Sequence, residues 1–158
     1  MLMVTRTVTV NAAFLQEIKE DNEQLRGLLA EANAMLAASP PSHVRTRRLA
    51  SLLAELRDQL AMHFSLEEAY GYFEDPVSVA PHLSEQAESL REQHGELYKD
   101  ICQLAETAEN LSDRNGKSRG LQQVACRFLE FYGRLQDHEA TENDLIVQAY
   151  NVDIGVGD

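Results

Sequence analysis

The chain has no tryptophan, two cysteines, four prolines and only 14 basic residues against 26 acidic ones. Each shortage excludes something. Cys102 and Cys126 cannot build the disulfide framework of a small secreted scaffold. Both fall mid-helix by pattern and read as reduced thiols packed as small apolar groups. A formal net charge of −12 works against non-specific binding to nucleic acid or an anionic membrane, since both rely on clusters of Lys and Arg. The one basic cluster, Arg45, Arg47 and Arg48, opens a helical segment and reads as a solvated turn. No apolar run approaches the ~18 residues of a membrane span, and the opening residues carry no sustained apolar region of a secretory signal. Gly-rich phosphate loops, Gly-x-Ser-x-Gly and His-Glu-x-x-His are also missing, which leaves nucleotide, acyl-transfer and zinc-protease chemistry without support. The expectation is a cytoplasmic protein that binds neither nucleic acid nor membrane.

The breakers that do occur punctuate four long periodic segments. The first runs from about 11 to 37, with Asn11 as N-cap and a stripe of Phe14/Leu15, Ile18, Asn22, Leu25, Leu29 and Ala32. Ser39-Pro40-Pro41-Ser42 ends it, because two consecutive prolines cannot continue a helix. The second spans roughly 44 to 73 and stops at Asp75-Pro76. A third starts near Pro81, a residue suited to a first helical turn, and runs to about 110. After a turn at Asp113-Arg114-Asn115-Gly116-Lys117, the fourth continues to about Tyr150 and leaves a frayed tail over 151–158.

Short turns between helices of ~25–30 residues make neighbours antiparallel. The predicted fold is therefore all-α, an up-down-up-down four-helix bundle forming one domain over 1–158 with its core at about 12–150. The alternating Val4-Thr5-Arg6-Thr7-Val8-Thr9-Val10 cannot stand as a lone strand. It is expected as a short extended arm, packed on the bundle or on a second copy in a homodimer.

Two copies of His-x-x-x-Glu, at His63/Glu67 and His138/Glu142, fall on the apolar stripes of the second and fourth segments. The first stripe is Leu49, Leu53, Leu56, Leu60, His63, Glu67 and Tyr70; the other is Leu121, Val124, Phe128, Phe131, Leu135, His138, Glu142, Leu145 and Ala149. Residues at i and i+4 share a helix face, so each pair turns an imidazole and a carboxylate the same way. His94 lies on the third stripe, among Leu83, Ala87, Leu90, Leu97, Ile101 and Leu104. Counting ~1.5 Å of rise per residue from the shared turn puts His63, Glu67 and His94 in one layer, with Asn22 and His138 within a turn or two of it.

Buried carboxylates are costly unless paired or metal-bound, and two of them beside three imidazoles suit iron, manganese or zinc. Carboxylates reaching in from opposite helices can bridge two cations about 3.5–4 Å apart. His43 and His82 sit in or beside turns and are expected to lie outside the site. Glu68 and Glu139 adjoin the candidate ligands; simple solvation is the commoner role, and orienting an imidazole the alternative.

At these residues the chain resembles the hemerythrin-like family, also called the HHE cation-binding domain. The matching stretches are Ile18-Lys19-Glu20-Asp21-Asn22-Glu23-Gln24-Leu25, His63-Phe64-Ser65-Leu66-Glu67-Glu68, Leu90-Arg91-Glu92-Gln93-His94 and His138-Glu139-Ala140-Thr141-Glu142. The likeness spans about 12 to 150. It implies a non-haem di-iron centre, in which Glu67 and Glu142 match bridging carboxylates. His63 matches a ligand of one iron, and His94 and His138 match ligands of the other. It further implies work with dioxygen, peroxide or nitric oxide, as a binder, a redox sensor or an iron store more than as an enzyme.

Two positions depart from the family pattern. Asn22 stands where the first helix normally supplies a histidine, and an amide oxygen is a much weaker iron ligand; Asp21 beside it, or a water, can compensate. Tyr98 follows His94 where the oxygen carriers have a second histidine, so its phenolate is a candidate ligand of Fe(III), with a packed tyrosine the plainer role. Efficient oxygen carriage is disfavoured by both changes. Two other functions compete: a di-iron enzyme reducing peroxide or nitric oxide, and a metal-poor bundle that binds a partner. Ferritin-like proteins use Glu-x-x-His pairs, whereas Leu60, Arg91 and Leu135 stand three residues before the site histidines, so that assignment falls behind.

Overall fold

The structure, a computed structural model, describes residues 12–37, 43–69, 80–113 and 118–157, with side chains placed at 20–37, 45–69, 80–113 and 119–149. Helix α1 covers Ala12–Ala37, α2 His43–Ala69, α3 Ser84–Asp113 and α4 Ser118–Gly157, with a 3-10 turn at Pro81–Leu83 leading into α3. The all-α fold is the one that the periodicity predicts, and no strand occurs among the described residues. The arm at 4–10, the Asn11 cap, Tyr70 and the proline breaks at 40–41 and 76 lie outside those residues.

Pro81 opens the third helix as its fixed φ favours. Leu83 N–H donates to the Ala80 carbonyl at 3.0 Å, and Ser84 N–H donates to that of Pro81. Helix α4 corrects the sequence reading at its far end, continuing past Tyr150 to Gly157 instead of fraying. No proline interrupts it, and a glycine costs a helix only about 1 kcal/mol.

Side-chain contacts fix the directions of the helices. Arg48 meets Glu31, while Gln59 and His63 meet Asp21, so α2 runs back along α1. Glu68 meets His94, while Arg57 lies near Tyr98 and Cys102, so α3 reverses again. Gln93 meets His138, Asp100 pairs with Arg134, and Leu111 lies against Gly120, which makes α4 antiparallel to α3. Helices α1 and α4 close the ring, where Asn22 and Arg26 share a cavity with Glu139 and Asn143.

The apolar stripes bury as their spacing dictates. Leu49, Leu52, Leu53, Leu56 and Leu60 of α2 join Ile101, Leu104, Phe128, Phe131 and Leu135 in the main core. Truncating Phe128 or Phe131, both fully buried, would cost about 3–5 kcal/mol. A second, smaller cluster comprises Ala80, Leu83, Ala87, Leu90, Leu145 and Ala149. Between the two clusters lies a layer of buried polar side chains: Asp21, His63, Glu67, His94, His138 and Glu142. The thiols do not both pack as the sequence reading has it. Cys102 is half-buried and Cys126 is exposed, because it stands two positions from both Val124 and Phe128 of the α4 stripe.

Candidate metal centre

Each helix delivers a different part of this layer. Helix α2 brings His63 and Glu67 inward one turn apart, and α4 does the same with His138 and Glu142. Helix α3 contributes His94 and α1 contributes Asp21. Glu67, His94, His138 and Glu142 each offer a ligand atom within 4.8 Å of the other three, and all four residues are buried. This tetrad is the only group of three or more such residues able to hold a metal ion among the described residues.

The three imidazoles are aimed by acceptors behind them. His63 Nδ1 donates to Asp21 Oδ2 at 2.6 Å, and the other oxygen of Asp21 accepts from Gln59 Nε2 at 2.6 Å. His138 Nδ1 donates to Gln93 Oε1 at 2.8 Å, and His94 Nδ1 lies 3.4 Å from Glu68 Oε1. In His94 and His138, neutral with the hydrogen held on Nδ1, the lone pair of Nε2 faces the interior; His63 presents its Nε2 the same way once it sheds its second proton. That is the arrangement by which outer groups fix the tautomer and orientation of metal-binding histidines. Phe64 adds an apolar floor, stacked on His94 at a centroid separation of 4.0 Å and 12° and edge-on to His138 at 5.8 Å.

Several inward-facing ligand atoms lack a hydrogen bond. Both oxygens of Glu67, Nε2 of His138 and Oε2 of Glu142 are buried without one. Glu142 Oε1 approaches His138 Nε2 at 3.0 Å, and Glu67 Oε1 approaches His63 Nε2 at 2.7 Å. Buried polar groups are nearly always satisfied, and an orphaned carboxylate costs several kcal/mol by order of magnitude. A cation satisfies nitrogen and oxygen lone pairs together, so the donor set fits a metal ion.

Electrostatics divide the layer. Burial holds the His94 imidazolium down to about 4, helped by the charges of His63 and Arg91, and holds His138 down to about 3, helped by His94 and His63. Burial also disfavours charge on His63, but Glu67 and Asp21 against its two nitrogens override it and raise the group to about 9. Burial pushes the carboxyl of Glu67 up, against the pull of His63. The carboxyl of Glu139 rises for the same reason, opposed by His63 and Arg26.

The sequence-predicted residues separate on this geometry. His63, Glu67, His94, His138 and Glu142 share the layer, although His63 stands outside the tetrad. Asn22 is half-buried and lines a cavity beside Glu67, but the inward residue of α1 is its neighbour Asp21, with 6% exposure. Tyr98 departs from the inward placement. It is 39% exposed, and its hydroxyl lies against Cys102, one position off the buried Leu97–Ile101 line. His82 is exposed as expected, and the side chain of His43 lies outside the described residues. Sequence reasoning missed Gln59, Gln93 and Phe64. Gln93 precedes His94 and Phe64 follows His63, but helical neighbours diverge by about 100°, so adjacency alone did not mark them.

Fold and layer together define a class, a four-helix bundle with an interior that can hold a metal ion. The chain belongs to the hemerythrin HHE cation binding domain family, whose model matches residues 13–152. No curated protein and no solved structure gives a match. No helix among the described residues is long and apolar enough to cross a membrane.

Proposed function

We propose that this chain is a cytoplasmic non-haem iron protein that binds dioxygen or a related small oxidant and serves to sense or store rather than to turn over substrate. The tetrad Glu67, His94, His138 and Glu142 is its principal metal position, and His63 serves a second one, so that Glu67 and Glu142 stand between two cations. The observation that carries this reading is the convergence of four buried ligand atoms from three helices within 4.8 Å of one another, with every site imidazole oriented from behind. Mixed imidazole and carboxylate donors suit iron, with manganese or zinc as competitors. Bound ferrous iron supplies the electrons for chemistry with an oxidant.

The chain's own residues supply the rest. Phe64 packs an apolar ring against His94 and His138. A cavity of about 120 Å³ between α1 and α4, lined by His63, Glu67, Glu139 and Glu142 among others, leaves room for a ligand of a few atoms. The test is the iron content of protein loaded anaerobically with Fe(II), followed by absorption spectra before and after air. About two irons per chain and a new near-ultraviolet charge-transfer band on exposure to air are expected. One iron, unaffected by His63→Ala, would confine the reading to the tetrad; none would end it.

A further inference from the structure

We infer that Glu139 is itself a metal ligand, completing with His63, Glu67 and Glu142 a second cation position richer in oxygen than the first. The inference rests on the reading of the tetrad as a metal centre and goes beyond it, because Glu139 belongs to neither the tetrad nor the repeated His-x-x-x-Glu pairs.

Helix α1 leaves a gap that needs a donor. Asp21, its one buried polar residue in this layer, already has both oxygens occupied, by Gln59 Nε2 and His63 Nδ1. Asn22 offers only a neutral amide at the cavity wall. Helix α4 can fill the gap from the other side. Consecutive residues of a helix diverge by about 100°, so while His138 turns toward Gln93 on α3, Glu139 turns toward α1 and α2. Its Oε1 lies 3.8 Å from His63 Nε2, the nitrogen that faces Glu67 Oε1 at 2.7 Å. Glu142, one turn further on, stands between the two positions. One oxygen faces His138 at 3.0 Å, and the other, 4.0 Å from His94 Nε2, makes no hydrogen bond.

The independent sign of a ligand here is Oε2 of Glu67 together with Oε2 of Glu142, both buried without a hydrogen bond on side chains only 5% exposed. Glu67, Glu139, Glu142 and His63 line the same cavity of about 120 Å³. Three carboxylates cannot share so small a space comfortably, and a divalent cation neutralises them. The donor sets of the two positions then differ in kind. Two imidazoles with carboxylates suit iron or zinc, while one imidazole among three carboxylates favours the harder iron(II) or manganese(II). Arg26, which lines the same cavity, is the competing partner for Glu139.

The test is an anaerobic titration with Mn(II) alone, read by electron paramagnetic resonance and by metal analysis after gel filtration, on wild type and Glu139→Gln. Circular dichroism confirms that the variant keeps its helices. Wild type should take up about two ions per chain with the broadened spectrum of a coupled pair. In Glu139→Gln the weaker ion should lose at least about tenfold in affinity, leaving one isolated Mn(II) signal. Adding Asn22→His to that variant should restore the second ion from the α1 side. If Glu139→Gln binds two ions as tightly as wild type, Glu139 serves Arg26 and the inference is overturned while the metal centre stands. If wild type binds a single ion that Glu139→Gln does not affect, the inference falls and the tetrad survives. Failure of wild type to bind either Mn(II) or Fe(II) removes both.

Discussion

His94 and His138 stand on the α3/α4 side of the polar layer, packed against Phe64, whereas His63 on the α1/α2 side lies between Asp21 and Glu67 with a cavity in front of it. All three are buried histidines with an acceptor behind Nδ1. Their charges nevertheless diverge, to about 4 and 3 on one side and about 9 on the other. The acceptors explain the difference. His138 leans on the neutral amide of Gln93 and His94 on the distant, exposed carboxylate of Glu68, so burial decides. His63 has buried carboxylates at both nitrogens, so they decide. In a protein interior, the group behind an imidazole sets whether its inner nitrogen offers a lone pair or a proton.

That contrast can be broken most severely on the α3/α4 side. His138→Ala should remove the ion held by the tetrad, measured as loss of about half the bound iron in anaerobically loaded protein, with His63→Ala losing the other half. Equal retention of both ions by either variant would refute the division. The next largest effect is one of pH. His63 must shed its proton before Nε2 can bind a metal, so affinity on its side should climb as pH rises toward about 9. His94 and His138 are already neutral above about 4 and 3, so their side should be nearly flat between about pH 6 and 8 and weaken only in acid. Parallel pH profiles for the two ions would remove the electrostatic distinction.

Asp21→Asn sharpens the comparison further, since it keeps the shape of the side chain and deletes its charge. A loss of roughly 10–100-fold in affinity for the ion on the His63 side, with the tetrad unchanged, is the expected result. Phe64→Leu should act more gently. It removes the stack on His94, should lower stability by about 1 kcal/mol, and should leave metal stoichiometry intact in a thermal melt and metal assay. Tyr98→Phe should do least of all. An exposed phenol beside Cys102 predicts unchanged visible spectra in the iron-loaded protein; a vanishing band at ~500–600 nm would restore phenolate ligation.

The helices and their buried faces were legible because apolar residues recur at helical spacing, and prolines mark where the first two segments must stop. The inward placement of the five His and Glu residues was legible for the same reason: they occupy positions on those stripes. The choice between Asp21 and Asn22 was not. Both are short and polar, and the choice follows from partners 38 and 42 positions away, Gln59 and His63. Tyr98 failed for a related reason, since spacing four from His94 puts it near the stripe while Leu97 and Ile101 take the core. Glu139 looked like a solvated neighbour of His138. Only the gap between α1 and α4 gives it a place to point, and no pattern within a single helix encodes a gap between two.

The smaller apolar cluster has a further bearing on how the molecule moves. Among the described residues it has six members, three of them alanine, and it joins Ala80–Leu90 to Leu145–Ala149 beyond the polar layer. Helix ends can open locally while a leucine- and phenylalanine-rich core stays shut. A cation gripped by α2, α3 and α4 would act there as a cross-link, raising the opening free energy of the helix ends beyond the polar layer. Occupancy of a few buried atoms would thus be felt as added stiffness at a whole end of the bundle.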